Sequence, residues 1–202
     1  LVLGSAGEFP DLNEQERLDF FRFYAEYVNG RVELLAGTGC IRYADTLALS
    51  NAVYELGYTP MVISPYYFEM DQEKLFVYYD RLAKDVKGDL YLYNFPPRTG
   101  HSIAPETIRR LIDVNPNIIG LKDSVSTPGH TNMVCRAVEG KPFTVYSGFD
   151  DQFLSNIANN GGGGCIGALS IIVPEIWSSL VKAANERDFA RTFALYHLIQ
   201  KL

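Results

Sequence analysis

Asn117-Ile118-Ile119-Gly120-Leu121-Lys122-Asp123 is a continuous apolar run that ends on a lysine and an aspartate. A strand with one wet face alternates apolar and polar residues. A continuous run indicates burial on both faces, as in a parallel sheet covered by helices. Leu90-Tyr91-Leu92-Tyr93-Asn94-Phe95-Pro96, about one βα unit earlier, is a second run of this kind. Seven strands are expected, at Leu1–Leu3, Val32–Ala36, Met61–Ser64, Leu90–Tyr93, Ile118–Leu121, Phe143–Tyr146 and Cys165–Ala168.

Amphipathic stretches fill the intervals. They lie at Glu14–Val28, Ala44–Glu55, Gln72–Asp85, Pro105–Ile112, Thr131–Val138 and Gln152–Ala158, then Pro174–Asn185 and Asp188–Ile199. Asn13 before Glu14-Gln15-Glu16 is an N-cap with acidic residues in the first turn. Asp71 caps a stretch with Leu75, Val77, Tyr78 and Leu82 on or near one face. Pro105 and Pro174 suit first helical positions, and Gly30 and Gly57 suit C-caps. Trp177, with Ile176 and Leu180, reads as helix core.

The units recur at roughly 20–31 residues, the spacing of βα repeats. A doubly wound sheet can hold seven strands. A (β/α)8 TIM barrel lacking its first βα unit also fits. Candidate site residues fall at the carboxyl ends of many strands: Ser5, Gly37-Thr38, Pro65-Tyr66-Tyr67, Tyr93, Lys122, Gly148 and Gly167. A barrel brings those ends to one rim, whereas an open sheet spreads them along a line. The barrel is therefore expected over residues 1–173. The last barrel helix and the start of a C-terminal helical region follow at 174–202. Leu1-Val2-Leu3-Gly4 reads as a strand without a polar lead-in, so a longer natural chain is expected.

The chain has 202 residues, 47% of them hydrophobic, enough for one substantial core. Net charge is −6 and the charges are dispersed, which disfavours a nucleic-acid partner. Cys40, Cys135 and Cys165 show no CxxC spacing, so neither a disulfide framework nor a zinc knuckle is expected. No apolar run approaches the ~18–20 residues of a membrane span. No secretory leader is visible, and a cytoplasmic location is expected. His101, His130 and His197 lack ligand spacing, which disfavours a histidine-held catalytic metal. Gly161-Gly162-Gly163-Gly164 is not followed by Gly-Lys-Ser/Thr, so a phosphate loop is not indicated. These glycines are expected to give close backbone approach before the last strand.

Lysine and tyrosine at the tips of buried strands suit Schiff-base chemistry with a proton carrier beside it. An amine attacks a carbonyl only when unprotonated, and burial favours that form. By itself, Lys122 reads more simply as a strand-end charge paired with Asp123. Tyr93 by itself reads as a core aromatic. Pro96-Pro97 after Tyr93 are expected to hold an extended exit and to forbid immediate helix formation. Gly4-Ser5-Ala6-Gly7-Glu8 is a turn of small residues whose N–H groups suit a carboxylate, with the Ser5 hydroxyl as a proton relay.

Gly4-Ser5-Ala6-Gly7-Glu8, Tyr93-Asn94-Phe95-Pro96 and Gly120-Leu121-Lys122-Asp123 together resemble the dihydrodipicolinate synthase / N-acetylneuraminate lyase family of class I pyruvate aldolases. The resemblance covers nearly the whole chain. It implies a (β/α)8 barrel with extra C-terminal helices, assembled as a tetramer. It implies that Lys122 forms the imine with pyruvate or a 2-keto acid and that Tyr93 transfers protons. It implies further that Ser5 links Tyr93 to a second tyrosine, matched by Tyr67, which in this family can reach in from a neighbouring subunit. No metal or organic cofactor is implied. The family pattern often has threonine where this chain has Ala6, so a hydroxyl is lost while the backbone N–H remains. The implied substrate-binding set is Ala6, Arg98, Ser124, Asp150, Asp151 and Ile166.

The substrate signals diverge. Gly7-Glu8-Phe9 and Lys122-Asp123-Ser124 resemble the branch acting on 2-keto-3-deoxy sugar acids. Ser124, Asp150 and Asp151 suit a polyol, although an aspartate before Gln152 also suits a helix cap. Pro97-Arg98-Thr99-Gly100 resembles the synthase branch, where the arginine meets a carboxylate. The sugar-acid aldolase is expected ahead of the synthase and of an N-acetylneuraminate lyase. A non-catalytic 2-keto-acid binding protein is the reading from a different class.

Overall fold

A computed structural model describes residues 1–202. Six strands form one sheet in sequence order: β1 (Leu34–Gly37), β2 (Tyr58–Ile63), β3 (Leu90–Asn94), β4 (Ile118–Asp123), β5 (Thr144–Ser147) and β6 (Gly162–Cys165). Every pairing is parallel. Parallel neighbours need a crossover, and helices supply each one. These are α2 (Tyr43–Tyr54), α3 (Gln72–Asp85), α4 (Pro96–Thr99) with α5 (Pro105–Val114), α6 (Pro128–Ala137) and α7 (Phe153–Ile157). Before β1 stands α1 (Glu14–Val28); after β6 come α8 (Leu169–Ile172), α9 (Pro174–Asn185) and α10 (Phe189–Ile199). A doubly wound sheet reverses its strand order at a switch point, and this sheet does not reverse.

The outer face of the sheet carries Val62, Leu90, Leu92, Ile118, Leu121 and Val145, packed under Leu75, Tyr79 and Leu82 of α3, Ile108 and Leu111 of α5, and Val134 of α6. The inner face carries Met61, Ile63 and Tyr93, in one cluster with Leu3 and Ala36. Ile166 follows β6 yet packs against that cluster from the first three strands. Such a contact requires the sheet to curl. The wall is not a closed ring, because β6 pairs only β5, and β1 pairs only β2 and Val2.

Several expectations are corrected. Leu1–Leu3 is not a strand but a single parallel bridge, Val2 to Ala36, with Val2 donating to the Leu35 carbonyl. Leu3 adopts a left-handed φ of 55°, which turns the chain off the ladder. Gly37 admits that turn, since a Cβ there would lie 2.0 Å from the Leu3 carbonyl oxygen. The last strand is made of the glycines themselves, Gly162–Cys165, and not of Cys165–Ala168. A side chain at Gly163 would meet the Tyr146 ring at 2.6 Å, so its neighbour's bulk fills that place. Likewise Tyr91 and Tyr146 approach across β4, their centroids 6.2 Å apart, because Gly120 between them has no side chain. Pro96 and Pro97 do not forbid a helix; they begin one, since a first turn uses no N–H from those positions. On α3 the buried face is Leu75, Tyr79 and Leu82, while Val77 points outward.

Other local expectations hold. Asn13 forms a capping box with Glu16, and Asp71 caps α3 through the Lys74 amide. Trp177, Leu180, Tyr196 and Ile199 join Phe153 in a separate cluster that seats α9 and α10. No helix is long and apolar enough to cross a membrane.

Gly120 gives the direct test of this packing. A Cβ there would meet Tyr91 Cε1 at 2.3 Å and the Thr144 carbonyl oxygen at 2.7 Å. Gly120→Ala is expected to lower the free energy of unfolding by about 1–3 kcal/mol, the usual cost of overpacking. Urea denaturation measures it.

Candidate active site

β3 and β4 pair Tyr93 with Lys122 and Asn94 with Asp123. Successive strand residues face opposite sides, so the first pair faces the barrel interior and the second faces the helices. Lys122 is buried, 7% exposed, with its Nζ 4.6 Å from the Tyr93 ring centroid. The Ser5 hydroxyl lies 3.1 Å from the Tyr93 hydroxyl. Ser5, Tyr93 and Lys122, drawn from an N-terminal turn and two strands, therefore meet at one point. Gly4 sits beside them, and a Cβ there would be 4.0 Å from Lys122 Nζ.

Residues 5–7 form a 3-10 turn. Its own bonds use the N–H groups of Gly7 and Glu8. The N–H groups of Ser5 and Ala6 have no acceptor in the chain, which leaves two donors side by side.

The remaining sequence-selected residues fall in different places. Ser124 is buried just past the end of β4, close enough to Gly148 that a Cβ there would lie 1.8 Å from the Ser124 hydroxyl. Ile166 packs toward Tyr93 and its neighbours. Arg98 is exposed on α4, 5.7 Å from the Phe95 ring, and Phe95 in turn stacks on Tyr93. Asp150 is not capping its own turn; its two oxygens accept from the amides of Ala168 and Leu169 at the start of α8. The Asp151 side chain is exposed, and its carbonyl takes the Tyr196 hydroxyl. Tyr67 does not meet Ser5 within the chain. It is 75% exposed and packs edge-on with Phe68.

Lys122 does not pair with Asp123. Asp123 is fully buried behind the sheet. It accepts from Asn94 Nδ2 at 2.8 Å, from His130 Nδ1 at 2.9 Å and from Thr131 Oγ1 at 2.7 Å. The other His130 nitrogen faces the Ile103 carbonyl at 3.2 Å. Asn94 Oδ1 accepts the Ile103 amide at 3.0 Å. Asp123 can only accept, so His130 Nδ1 carries a proton, while Nε2 also faces the Ser102 hydroxyl at 3.5 Å. Asn94, His130 and Thr131 were not selected from sequence. The available signal was adjacency: Asn94 follows Tyr93 as Asp123 follows Lys122.

His101 is the opposite case. Its Nδ1 accepts the Met70 amide at 3.3 Å, so Nε2 carries the proton and donates to Ser64 Oγ at 2.8 Å. This ties the Tyr66–Met70 loop to the end of β2. Burial lowers the His101 pKa below its ordinary value. For His130 burial also disfavours the charge, but the hydrogen bond and charge of Asp123 outweigh it and raise the pKa.

The two histidines therefore give opposite pH signatures. The His130 contribution is fully present below its unfolded pKa of 6.5 and is lost as pH rises through the higher folded value. The His101 contribution is present above 6.5 and is lost as pH falls through the lower folded value. His130→Gln is expected to cost most stability at acid pH and least at alkaline pH, and His101→Gln the reverse. Urea unfolding measured across pH checks both.

The chain matches the family model of the dihydrodipicolinate synthetase family over residues 1–202. It is 36% identical over 198 residues to YagE of Escherichia coli K12, a protein named as a 2-dehydro-3-deoxy-D-gluconate aldolase, covering 96% of this chain and 65% of that one. It is 35% identical over 194 residues to a 4-hydroxy-tetrahydrodipicolinate synthase of Kosmotoga olearia, covering 95% and 65%. The crystal structure of YagE in complex with pyruvate superposes with a TM-score of 0.93 at 33% identity, covering 98% of this chain and 67% of that chain. The chain thus spans 65% of the length of these two curated relatives. The curled parallel sheet, the three motifs in order and these likenesses agree, and the chain belongs to the dihydrodipicolinate synthetase family.

Proposed function

We propose that this chain carries the imine-forming core of a class I lyase or aldolase that makes or breaks a C–C bond between pyruvate and an aldehyde. The observation that carries this reading is the meeting of Ser5, Tyr93 and Lys122, with Ser5 Oγ 3.1 Å from the Tyr93 hydroxyl and Lys122 Nζ against the Tyr93 ring. The Lys122 amine adds to the C2 carbonyl of a 2-keto acid, and water leaves to give a protonated imine. The electron pair of the C3–C4 bond flows into that imine, giving an enamine and freeing the aldehyde. Tyr93 takes the C4 hydroxyl proton during cleavage and returns it during condensation, with Ser5 as relay. The free N–H groups of Ser5 and Ala6 hold the substrate carboxylate. Neither a metal nor an organic cofactor takes part in these steps.

The preferred substrate in this reading is a 2-keto-3-deoxy sugar acid. Ser124 and Ile166 face the reacting carbon chain, and exposed Asp151 meets its hydroxyls. Asp150 shapes the loop at α8, where its oxygens are engaged. Tyr67 completes the proton relay of a neighbouring subunit in a homotetramer, a role its exposure supports. The enzyme acts in the cytoplasm. The six strands and the Val2 bridge are read as part of a (β/α)8 barrel, supported by the curl that brings Ile166 against the cluster around Tyr93. Arg98 favours a second reading. An exposed arginine at the rim suits the carboxylate of aspartate semialdehyde, as a dihydrodipicolinate synthase requires.

Pyruvate with borohydride is expected to add mass irreversibly at Lys122, located by peptide mass spectrometry, and Lys122→Ala is expected to remove the adduct. An unmodified wild-type lysine would overturn the reading. Tyr93→Phe is expected to lower turnover by about 10²–10⁴-fold. A panel of 2-keto-3-deoxy acids, N-acetylneuraminate and pyruvate plus aspartate semialdehyde separates the substrates.

A further inference from the structure

We propose that Asp123 is the positioning residue for Lys122, acting from the opposite face of the sheet through a cross-strand clamp with Asn94. The inference rests on the assignment of Lys122 as the imine-forming residue. Lys122 and Asp123 are consecutive on β4, and Tyr93 and Asn94 are consecutive on β3. The ladder sets Tyr93 opposite Lys122 and Asn94 opposite Asp123. The Asn94–Asp123 side-chain bond of 2.8 Å therefore fixes, from behind, the lateral placement of the reacting pair in front. The next rung repeats the constraint, because the Ser124 amide donates to the Asn94 carbonyl at 2.8 Å.

The clamp is held rigid from outside. Asn94, Asp123 and Thr131 are all buried. Thr131 and His130, both on α6, donate to the second Asp123 oxygen. Asn94 is anchored in turn by the Ile103 amide and by the Ser102 hydroxyl. The carboxylate is thus held from two sides, one oxygen by Asn94 of β3 and the other by His130 and Thr131 of α6. Lys122 itself has a long flexible stem and makes no ion pair. Its position depends on its strand. A displacement of about 1 Å at a reacting atom costs on the order of 10²-fold in rate.

The test compares wild type with Asp123→Asn and Asn94→Ala, each confirmed folded at the assay temperature. The rate of irreversible Lys122 labelling by pyruvate and borohydride is measured over a range of pyruvate concentrations. Both variants are expected to lose about 10–100-fold in maximal labelling rate. The pyruvate concentration for half-maximal labelling is expected to stay within about 3-fold, since the Ser5–Ala6 turn is untouched. If a variant fails to fold, Thr131→Val, which removes one donor from the same carboxylate, is read by the same criterion. A folded variant that labels at the wild-type maximal rate overturns the proposal and leaves the role of Lys122 standing. So does a variant whose half-maximal concentration rises in step with the loss of rate, since that marks a general collapse of the site. A wild-type protein that does not label removes both readings at once.

Discussion

The parallel ladder between β3 and β4 is the constraint on which the site depends. Two consecutive residues on each strand are paired, and alternation sends one pair inward and the other outward. Tyr93 and Lys122 gain an apolar interior. Asn94 and Asp123 gain a buried polar network under α6. A slip of one residue in β4 would exchange these surroundings for its pair. It would put a lysine under the helices and an aspartate in the barrel. The penalty for burying either charge without its partners is large, so the register is strongly specified.

Curvature depends on missing side chains. Gly120 lets Tyr91 approach Tyr146 over β4, and Gly163 makes room for Tyr146 over β6. Gly37 accepts the Leu3 carbonyl, so the Gly4–Ala6 turn arrives at the ends of β3 and β4. Large and absent side chains alternate around the inner face. This lets one face of the sheet be concave and still be filled. The same packing brings Ile166, from the far side of the sheet, against the cluster that holds Tyr93.

The family relationship gives the chemistry a setting and leaves the substrate to be tested. Relatives named as a sugar-acid aldolase and as a synthase match at nearly equal identity. In the proposed function, discrimination between the two substrates is assigned to Arg98, Ser124 and Asp151. Of the acidic pair, Asp150 is already committed to the amides of Ala168 and Leu169. A carboxylate with both oxygens on backbone amides is a poor acceptor for a sugar hydroxyl.

The sequence alone determined the repeating parallel architecture and marked the residues to which the chemistry is assigned in the proposed function. Short continuous apolar runs bounded by turn signals indicate strands buried on both faces, and caps such as Asn13 and Asp71 act within a single turn of helix. Both signals are local, so they were legible without a fold. Ser5, Tyr93 and Lys122 were marked differently, by three motifs that together resemble the family although each residue alone reads as structural. What the sequence misread was decided by contacts between distant residues. The glycine run became a strand because Tyr146 fills its missing side chains. Leu1–Leu3 became one bridge because Leu3 turns off the ladder against Gly37. Asp123 turned away from Lys122 because Asn94, His130 and Thr131 converge on it from two other elements. Partners brought together across tens of residues leave no local pattern, and only the tertiary structure could supply them.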